Sequence, residues 1–380
     1  MITVDKIDDL ERFGKIRNEW NELLRNSDSD GLFLTWEWLH TWWRHLAEDR
    51  RLHVLTVRRD GELVGIAPFA WRSRRWRRLL PFPALEFLGS GCVGSDYLDV
   101  IIRRGEERKT LATLLEHLAG DKLMLELARI NGASTSAREL AVESSEQGWS
   151  ATRHTTDVCP FIDLSKHNWE SFLQSLGAAH RYNVRRRIKR LQKDWYVSFE
   201  HVQTEEFRSV ALQTLIELHQ RRWRERRSPG VLNTAALIAF HEEFSRLALE
   251  RGWLRLFVLR LNGQAVAALY GFNYHGTFYF YQAGFDPDPR FSKHSVGLVT
   301  MGLALKHAIE EKVNIYDFLR GDEAYKFLWA REKRELVRLE LFPPGEHGTF
   351  YRQAMKLRSG IKKLAPNPLP ENSAESHLIH

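Results

Sequence analysis

The chain has 380 residues, long enough for two compact units each with its own core, and its 43% hydrophobic, 28% charged and 12% aromatic composition excludes a disordered, collagen-like or coiled-coil protein. No run approaches the roughly 18 apolar residues that cross a bilayer, and Met1–Asp9 lacks a basic segment followed by an apolar one, which disfavours secretion and predicts a cytoplasmic protein. A net charge of +7 points to polyanionic partners, whereas two cysteines, Cys92 and Cys159, make neither a disulfide framework nor a zinc cluster, so no metal is expected.

Trp36, Trp38, Trp42 and Trp43 fall at mixed helical spacings and read as core. A β-hairpin follows over Leu52–Trp71, turning at Asp60-Gly61, and then a basic arm with five Arg between Arg72 and Arg78. Downstream, Tyr97–Ile102 reads as a strand, Lys109–Ala119 as a helix and Leu123–Leu127 as a strand. From about Trp169 to Arg251 the pattern is helical, broken at Ser228-Pro229-Gly230. Within it, Arg181–Lys193 carries seven basic residues around an apolar stripe of Val184, Ile188, Leu191 and Trp195. That amphipathic helix suits an anionic substrate, a nucleic acid or an anionic membrane, or is simply a solvated face. A second basic run, Arg221–Arg227, holds five more Arg.

The second hairpin, Leu254–Tyr274, turns at Asn262-Gly263. Setting Gly61 on Gly263 gives an offset of 202 residues that places Leu55, Val57 and Val64 on Phe257, Leu259 and Val266. The same order of strand, helix and strand then recurs as Thr277–Phe285, Ser295–Glu311 and Ile315–Leu319. A duplication at this separation predicts two tandem α/β domains, residues 1–160 and 161–345, the second with a helical insertion at about 169–251. Residues 346–380 form a basic segment and a loose, Pro-rich tail.

Chemistry concentrates in the second copy. Ser295-Val296-Gly297 opens a helix after a strand and loop, where free N–H groups and the helix dipole suit a phosphate or oxyanion, or where Ser295 merely caps the helix. Asp317, between Tyr316 and Phe318, needs a cationic or hydrogen-bonding partner, with Arg320 and Lys326 nearest in sequence. It is either a structural ion pair or a site group. In the first copy Glu106 and Glu107 precede the helix, and Ser95, Asp96 and Tyr97 are candidates for sugar contacts or form an ordinary polar loop. No phosphate-binding P-loop, dinucleotide fingerprint, zinc-protease motif or nucleophile elbow occurs, which removes the main support for kinase, dehydrogenase, zincin and α/β-hydrolase readings.

Tyr316–Trp329, the Ser295-Val296-Gly297 opening, the basic stretch after Leu176 and Phe33–Leu39 together resemble the CelD-type, FemAB-related double-GNAT acyltransferases of cellulose or exopolysaccharide biosynthesis. The resemblance implies an α/β (α+β) chain of two GNAT-like domains, each a mixed, mostly antiparallel sheet flanked by helices. It implies an N-acyltransferase using acetyl-CoA or another acyl-CoA, acting on an amine of a nucleotide sugar or polysaccharide precursor. Asp317, Tyr325 and Lys326 become catalytic candidates, Ser295, Val296, Gly297 and Arg320 donor-binding ones, and Arg181, Arg185, Tyr281 and Gln282 substrate- or anion-binding ones. The sequence departs from simple GNAT enzymes in lacking the [QR]-x-x-G-x-[GA] loop, having Arg290 and Lys293 before the helix instead. FemAB relatives use aminoacyl-tRNA, so a tRNA-dependent aminoacyltransferase is one alternative. A non-enzymatic scaffold of a polysaccharide-synthesis complex, held at an anionic membrane surface, is another.

Overall fold

A computed structural model describes residues 1–76, 80–225 and 232–364. The chain divides into two compact units, Met1–Asp157 with Glu335–Glu371, and Val158–Arg334. The first contains β1 (Ile2–Ile7), α1 (Leu10–Lys15), α2 (Arg17–Arg25), α3 (Trp36–Leu46), β2 (Arg51–Arg59), β3 (Glu62–Trp76), β4 (Leu80–Phe87), β5 (Ile101–Ile102), α4 (Glu107–Asp121), β6 (Met124–Asn131), α5 (Thr135–Glu146) and the first part of β7 (Ser150–Asp163). The second takes the end of β7 and then α6 (Trp169–Ser175), α7 (Ala178–Asp194), β8 (Val197–His201), α8 (Glu205–Glu225), α9 (Ala235–Glu250), β9 (Leu254–Leu261), β10 (Gln264–Tyr274), β11 (Thr277–Phe285), α10 (Pro289–Ser292), α11 (Val296–Glu310), β12 (Ile315–Asp317) and α12 (Lys326–Trp329). Most of β13 (Glu332–Phe342), and α13 (Glu346–Leu364), belong to the first unit.

Each unit builds its sheet the same way. In the first, β1, β2, β3 and β4 pair antiparallel in turn, β4 pairs parallel with β6, and β6 pairs antiparallel with β13. In the second, β8, β9, β10 and β11 do the same, β11 pairs parallel with β12, and β12 antiparallel with β7. Both hairpin turns have positive φ at both central residues, Asp60 (51°) and Gly61 (87°), Asn262 (47°) and Gly263 (82°). That left-handed pair matches the twist of the strands, which is why Asp-Gly and Asn-Gly mark the turns in the sequence. The expected mixed sheet flanked by helices is what the chain forms.

Three details differ from the sequence reading. The first-copy counterpart of β11 is β4, not Tyr97–Ile102, of which only Ile101–Ile102 is strand; Pro81 and Pro83 disguise β4 by breaking the strand signal. The helical stretch from Trp169 is interrupted by β8, where Val197, Ser198 and Phe199 lie against β9. Residues from 335 onward return to the first unit because β13 takes the free edge of β6. The turn at 228–230, the tail from 365, Arg77 and Arg78, and Arg226 and Arg227 lie outside the described residues.

In the second unit, α6, α7 and α11 cover one face of the sheet, with Phe172, Leu298, Tyr316 and Trp329 in a common core with Phe257 and Phe278. Strand alternation turns Tyr281 to the other face, against His241 of α9, where Phe240, Phe244 and Phe272 also pack. No described helix is long and apolar enough to cross a membrane.

Candidate functional site

Strands β11 and β12 run together only from Thr277↔Ile315 to Tyr279↔Asp317. There β12 stops while β11 continues to Phe285, so its last six residues have no pairing with β12 and the two strands part. The first turn of α11 lies against the continuing strand: a Cβ on Gly297 would sit 3.2 Å from the Phe285 ring, so only glycine leaves the ring its place. The result is a mostly apolar pocket lined by Ala267, Phe280, Phe285, Gly297, Thr300 and Tyr325. Opposite, β10 and β11 slip register after Tyr270, where an extra residue, Tyr281, is accommodated. Gly271 permits this crossing, since a Cβ there would meet the Tyr279 carbonyl at 2.6 Å.

The loop after β12 is held by buried charge. Asp317 is fully buried; its Oδ1 accepts from the Leu319 backbone N–H at 2.8 Å and its Oδ2 from Arg334 Nη1 at 2.8 Å. Arg334 also lies over the Phe161 ring, 4.0 Å from its centroid. A cationic partner of Asp317 thus comes from 17 residues away. Lys326, 2% exposed, instead donates to the carbonyls of Leu319 (3.3 Å) and Arg320 (2.6 Å) and pairs with the buried Glu323 carboxylate at 2.9 Å. Its three donors staple the loop. Gly321 takes φ +124°, and a Cβ on it would meet the Glu323 carboxylate at 2.2 Å, so the staple requires glycine there twice over. Tyr325, next to the staple, is fixed with its ring at the pocket.

At the mouth of α11, Ser295 adopts a left-handed conformation (φ 54°) and its side chain makes no capping bond. The first-turn N–H groups have no intrahelical partner by geometry. The segment before them is moored to α7: Arg187 Nη1 donates to the Lys293 carbonyl at 2.5 Å, and the Trp195 indole N–H lies 3.3 Å from Nε2 of buried His294. Burial, then the like charges of Arg186 and Arg190, push the Arg187 pKa below its usual value. An anion between α7 and the start of α11 would relieve that repulsion.

The remaining candidates are dispersed. Arg181 donates to the Gln174 carbonyl at 3.1 Å, and Arg185 is paired with Glu170. The Gln282 side-chain oxygen accepts from the Ala283 N–H at 3.1 Å. Arg320 contributes its carbonyl to the Lys326 staple. Tyr281 reaches Nε2 of His241 at 3.3 Å; His241 is wholly buried and desolvation pushes its pKa down to about 3, so it is neutral and able to accept a hydrogen bond from the Tyr281 hydroxyl. In the first unit, Ser95 is buried and accepts from the Trp38 indole at 2.9 Å, and Asp96 is also buried, so neither is presented to solvent. Sequence reasoning missed Arg334, Arg187 and His241. Of these only Arg187 carried a signal, as a member of the basic helix.

Residues 178–327, which span α7, the pocket, the Asp317 loop and the first residues of α12, match the model of the acetyltransferase (GNAT) domain family. The chain contains a GNAT acetyltransferase domain. It is an acyltransferase of the GNAT type. Among solved structures, FemX is similar over 92% of this chain and 99% of its own, with a TM-score of 0.65 and 12% identity. The C-terminal domain of an Agrobacterium fabrum protein assigned as a lysylphosphatidylglycerol synthetase covers 92% of this chain and 96% of its own at TM-score 0.55 and 13% identity. L-PGS from Bacillus licheniformis is similar over 92% and 97%, at TM-score 0.52 and 12% identity. At these identities the likeness is one of fold. A search of curated proteins found no match.

Proposed function

We propose that the second unit transfers an acyl group from a phosphate-bearing donor, most simply acetyl-CoA, to an amine of a nucleotide sugar or glycan precursor. The observation that carries this reading is the gap where β11 parts from β12, closed by the first turn of α11 and lined by Tyr325. The enclosed space there is about 20 Å³, so an acyl-thioester arm entering beside Phe280 and Phe285 has to widen it, while its phosphates meet the N–H groups of Ser295, Val296 and Gly297 and the Arg187 side of α7. Holding amine and thioester together lowers the barrier by roughly 7–11 kcal/mol. Tyr325 protonates the departing thiolate. Asp317 acts as a positioning residue, fixing the Leu319 turn, and Lys326 holds the loop that presents Tyr325. The reaction forms the amide C–N bond and breaks the C–S bond, and the amine proton leaves to solvent; Tyr281 is held by neutral His241, which takes up charge poorly and acts as its hydrogen-bond partner.

A second reading, an aminoacyl-tRNA donor, is favoured by the basic exposed face of α7, with Arg186, Lys189, Arg190 and Lys193 beyond the pocket mouth, and by the naming of one structural neighbour for a lysyl-transfer product. Thermal unfolding with acetyl-CoA, coenzyme A and tRNA in turn separates the two. Stabilisation by acetyl-CoA and coenzyme A supports the first. Stabilisation by tRNA alone, lost steeply with salt, supports the second. No shift with any of the three would remove both donors.

A further inference from the structure

At the far end of α11 from the pocket, three residues that the acyl-transfer reading does not use come together. His307 and Glu311 stand one turn apart at the end of α11, and His201 ends the edge strand β8. The two imidazole rings lie 5.0 Å apart between centroids, His307 Nδ1 is 3.7 Å from Glu311 Oε2, and one ligand atom from each of the three falls within 4.8 Å of the others. His307 Nδ1 is buried and has no hydrogen-bond partner among the described residues. Both rings pack on Phe257, at 5.0 and 4.9 Å, which fixes them with little room to turn away.

We propose that His201, His307 and Glu311 bind a divalent transition-metal ion, of which Zn²⁺ is the best match. Two imidazole nitrogens and a carboxylate oxygen are the donor set this ion takes, with a water completing a tetrahedron. Bonds of about 2.0–2.2 Å require the three donor atoms to approach by a small side-chain rotation from their present spacing. The His201 ring reaches the Leu254 carbonyl at 3.4 Å through Nε2, which leaves Nδ1 to ligate. Arg255 donates from Nε to Glu311 Oε2 at 2.7 Å and from Nη1 to the Gly252 and Leu254 carbonyls, so it holds the carboxylate beside the two rings. The negative end of the α11 dipole also falls here and favours a cation. The ion would fasten the edge strand β8 to the helix whose other end forms the pocket.

The experiment uses the full chain, stripped with a chelator and titrated with Co²⁺ alone, then with Zn²⁺ as competitor. One equivalent of Co²⁺ should give the intense visible absorption of tetrahedral cobalt, abolished by Zn²⁺, and Zn²⁺ should raise the unfolding temperature. In His201→Gln and in His307→Gln the affinity should fall at least about tenfold, the low end of what loss of even an outer-shell partner costs. His347→Gln, an exposed control, should bind as the unaltered chain does. Because a variant in this packed corner can misfold, the unaltered chain gives a second readout: Co²⁺ should broaden the ring-proton signals of His201 and His307 first among its sixteen histidines. No tetrahedral absorption, absorption that survives both substitutions, or broadening that begins at other histidines would overturn the proposal.

Discussion

The two units share one strand plan but treat the start of their main helix in opposite ways. In the second, α11 opens with Ser295, Val296 and Gly297, and leaves a pocket beside Phe285. In the first, α4 opens at Glu106 and Glu107, with Glu106 paired to Arg59, and the helix sits so close to β3 that a Cβ on Gly65 would meet the Thr110 methyl at 2.3 Å. Carboxylates occupy the place a phosphate would take, and α4 lies hard against β3. By contrast, the buried acid is present in both. Matching the parallel registers of β4 with β6 and of β11 with β12 sets Glu126 on Asp317, and each has an arginine, Arg338 for Glu126 and Arg334 for Asp317. Both copies keep the buried acid and its arginine; the helix start and the pocket beside it are where they differ.

This contrast can be broken in several ways. The largest effect is expected from Tyr325→Phe, which removes a group found only in the second unit: turnover should fall by about 10²–10⁴-fold with donor affinity nearly unchanged, measured by single-turnover and binding assays. Full turnover would show that the pocket is not where the thiolate leaves. Next, Arg334→Ala and Arg338→Ala each take the arginine from a buried carboxylate and should each cost about 3 kcal/mol in denaturant unfolding. A large loss in one and none in the other would end the equivalence of Asp317 and Glu126. Smaller is the paired test of the helix starts: Ser295→Glu should weaken donor binding at least tenfold, about 1.4 kcal/mol, while Lys109→Glu on α4 leaves it unchanged. The reverse result would assign the donor to the wrong unit.

The subtlest difference is in pH response. Burial raises the Asp99 pKa to about 7 in the first unit, despite hydrogen bonds from the Val100 N–H, Ser134 and Ser29 that lower it. The unfolded chain ionises this carboxyl near 3.8 while the folded one keeps its proton, so its contribution to stability is lost as pH rises from about 4 to 7. His241, lowered to about 3 by burial in the second unit, works the other way, and its contribution is lost as pH falls from 6.5 toward 3. Each slope approaches about 1.4 kcal/mol per pH unit. Unfolding of Asp99→Asn and His241→Gln against the unaltered chain from pH 4 to 8 should show differences that grow in opposite directions; parallel curves would contradict both assignments.

Much of this was legible in the residues. Asp60-Gly61 and Asn262-Gly263 announce their turns because few other pairs tolerate positive φ twice, and the apolar alternation around them carried the duplication. The strand β4 was hidden because Pro81 and Pro83 look like breakers when nothing shows which edge they face. The site was half visible: the residues of the Asp317 loop and the opening of α11 stood out as charge inside apolar sequence. Their partners did not, since Arg334 meets Asp317, and Arg187 meets Lys293, only after the chain has folded back across 17 and 106 residues. The cluster of His201, His307 and Glu311 is invisible for the same reason, joining an edge strand to a helix far along the chain.

The return of β13 to β6 also bears on how the protein is made. Leu336 pairs with Asn131, and Leu341 with Leu125, so the first unit's sheet stays incomplete until the whole second unit has been translated. At roughly 5–20 residues per second, the ribosome takes on the order of 10–40 seconds to reach β13 after finishing β6. During that interval β6 has a bare edge, the kind of surface that invites pairing with a neighbouring nascent chain. The N-terminal unit is begun first, yet the last folded strand closes it, which makes the second unit's prompt folding a condition for the safe completion of the first.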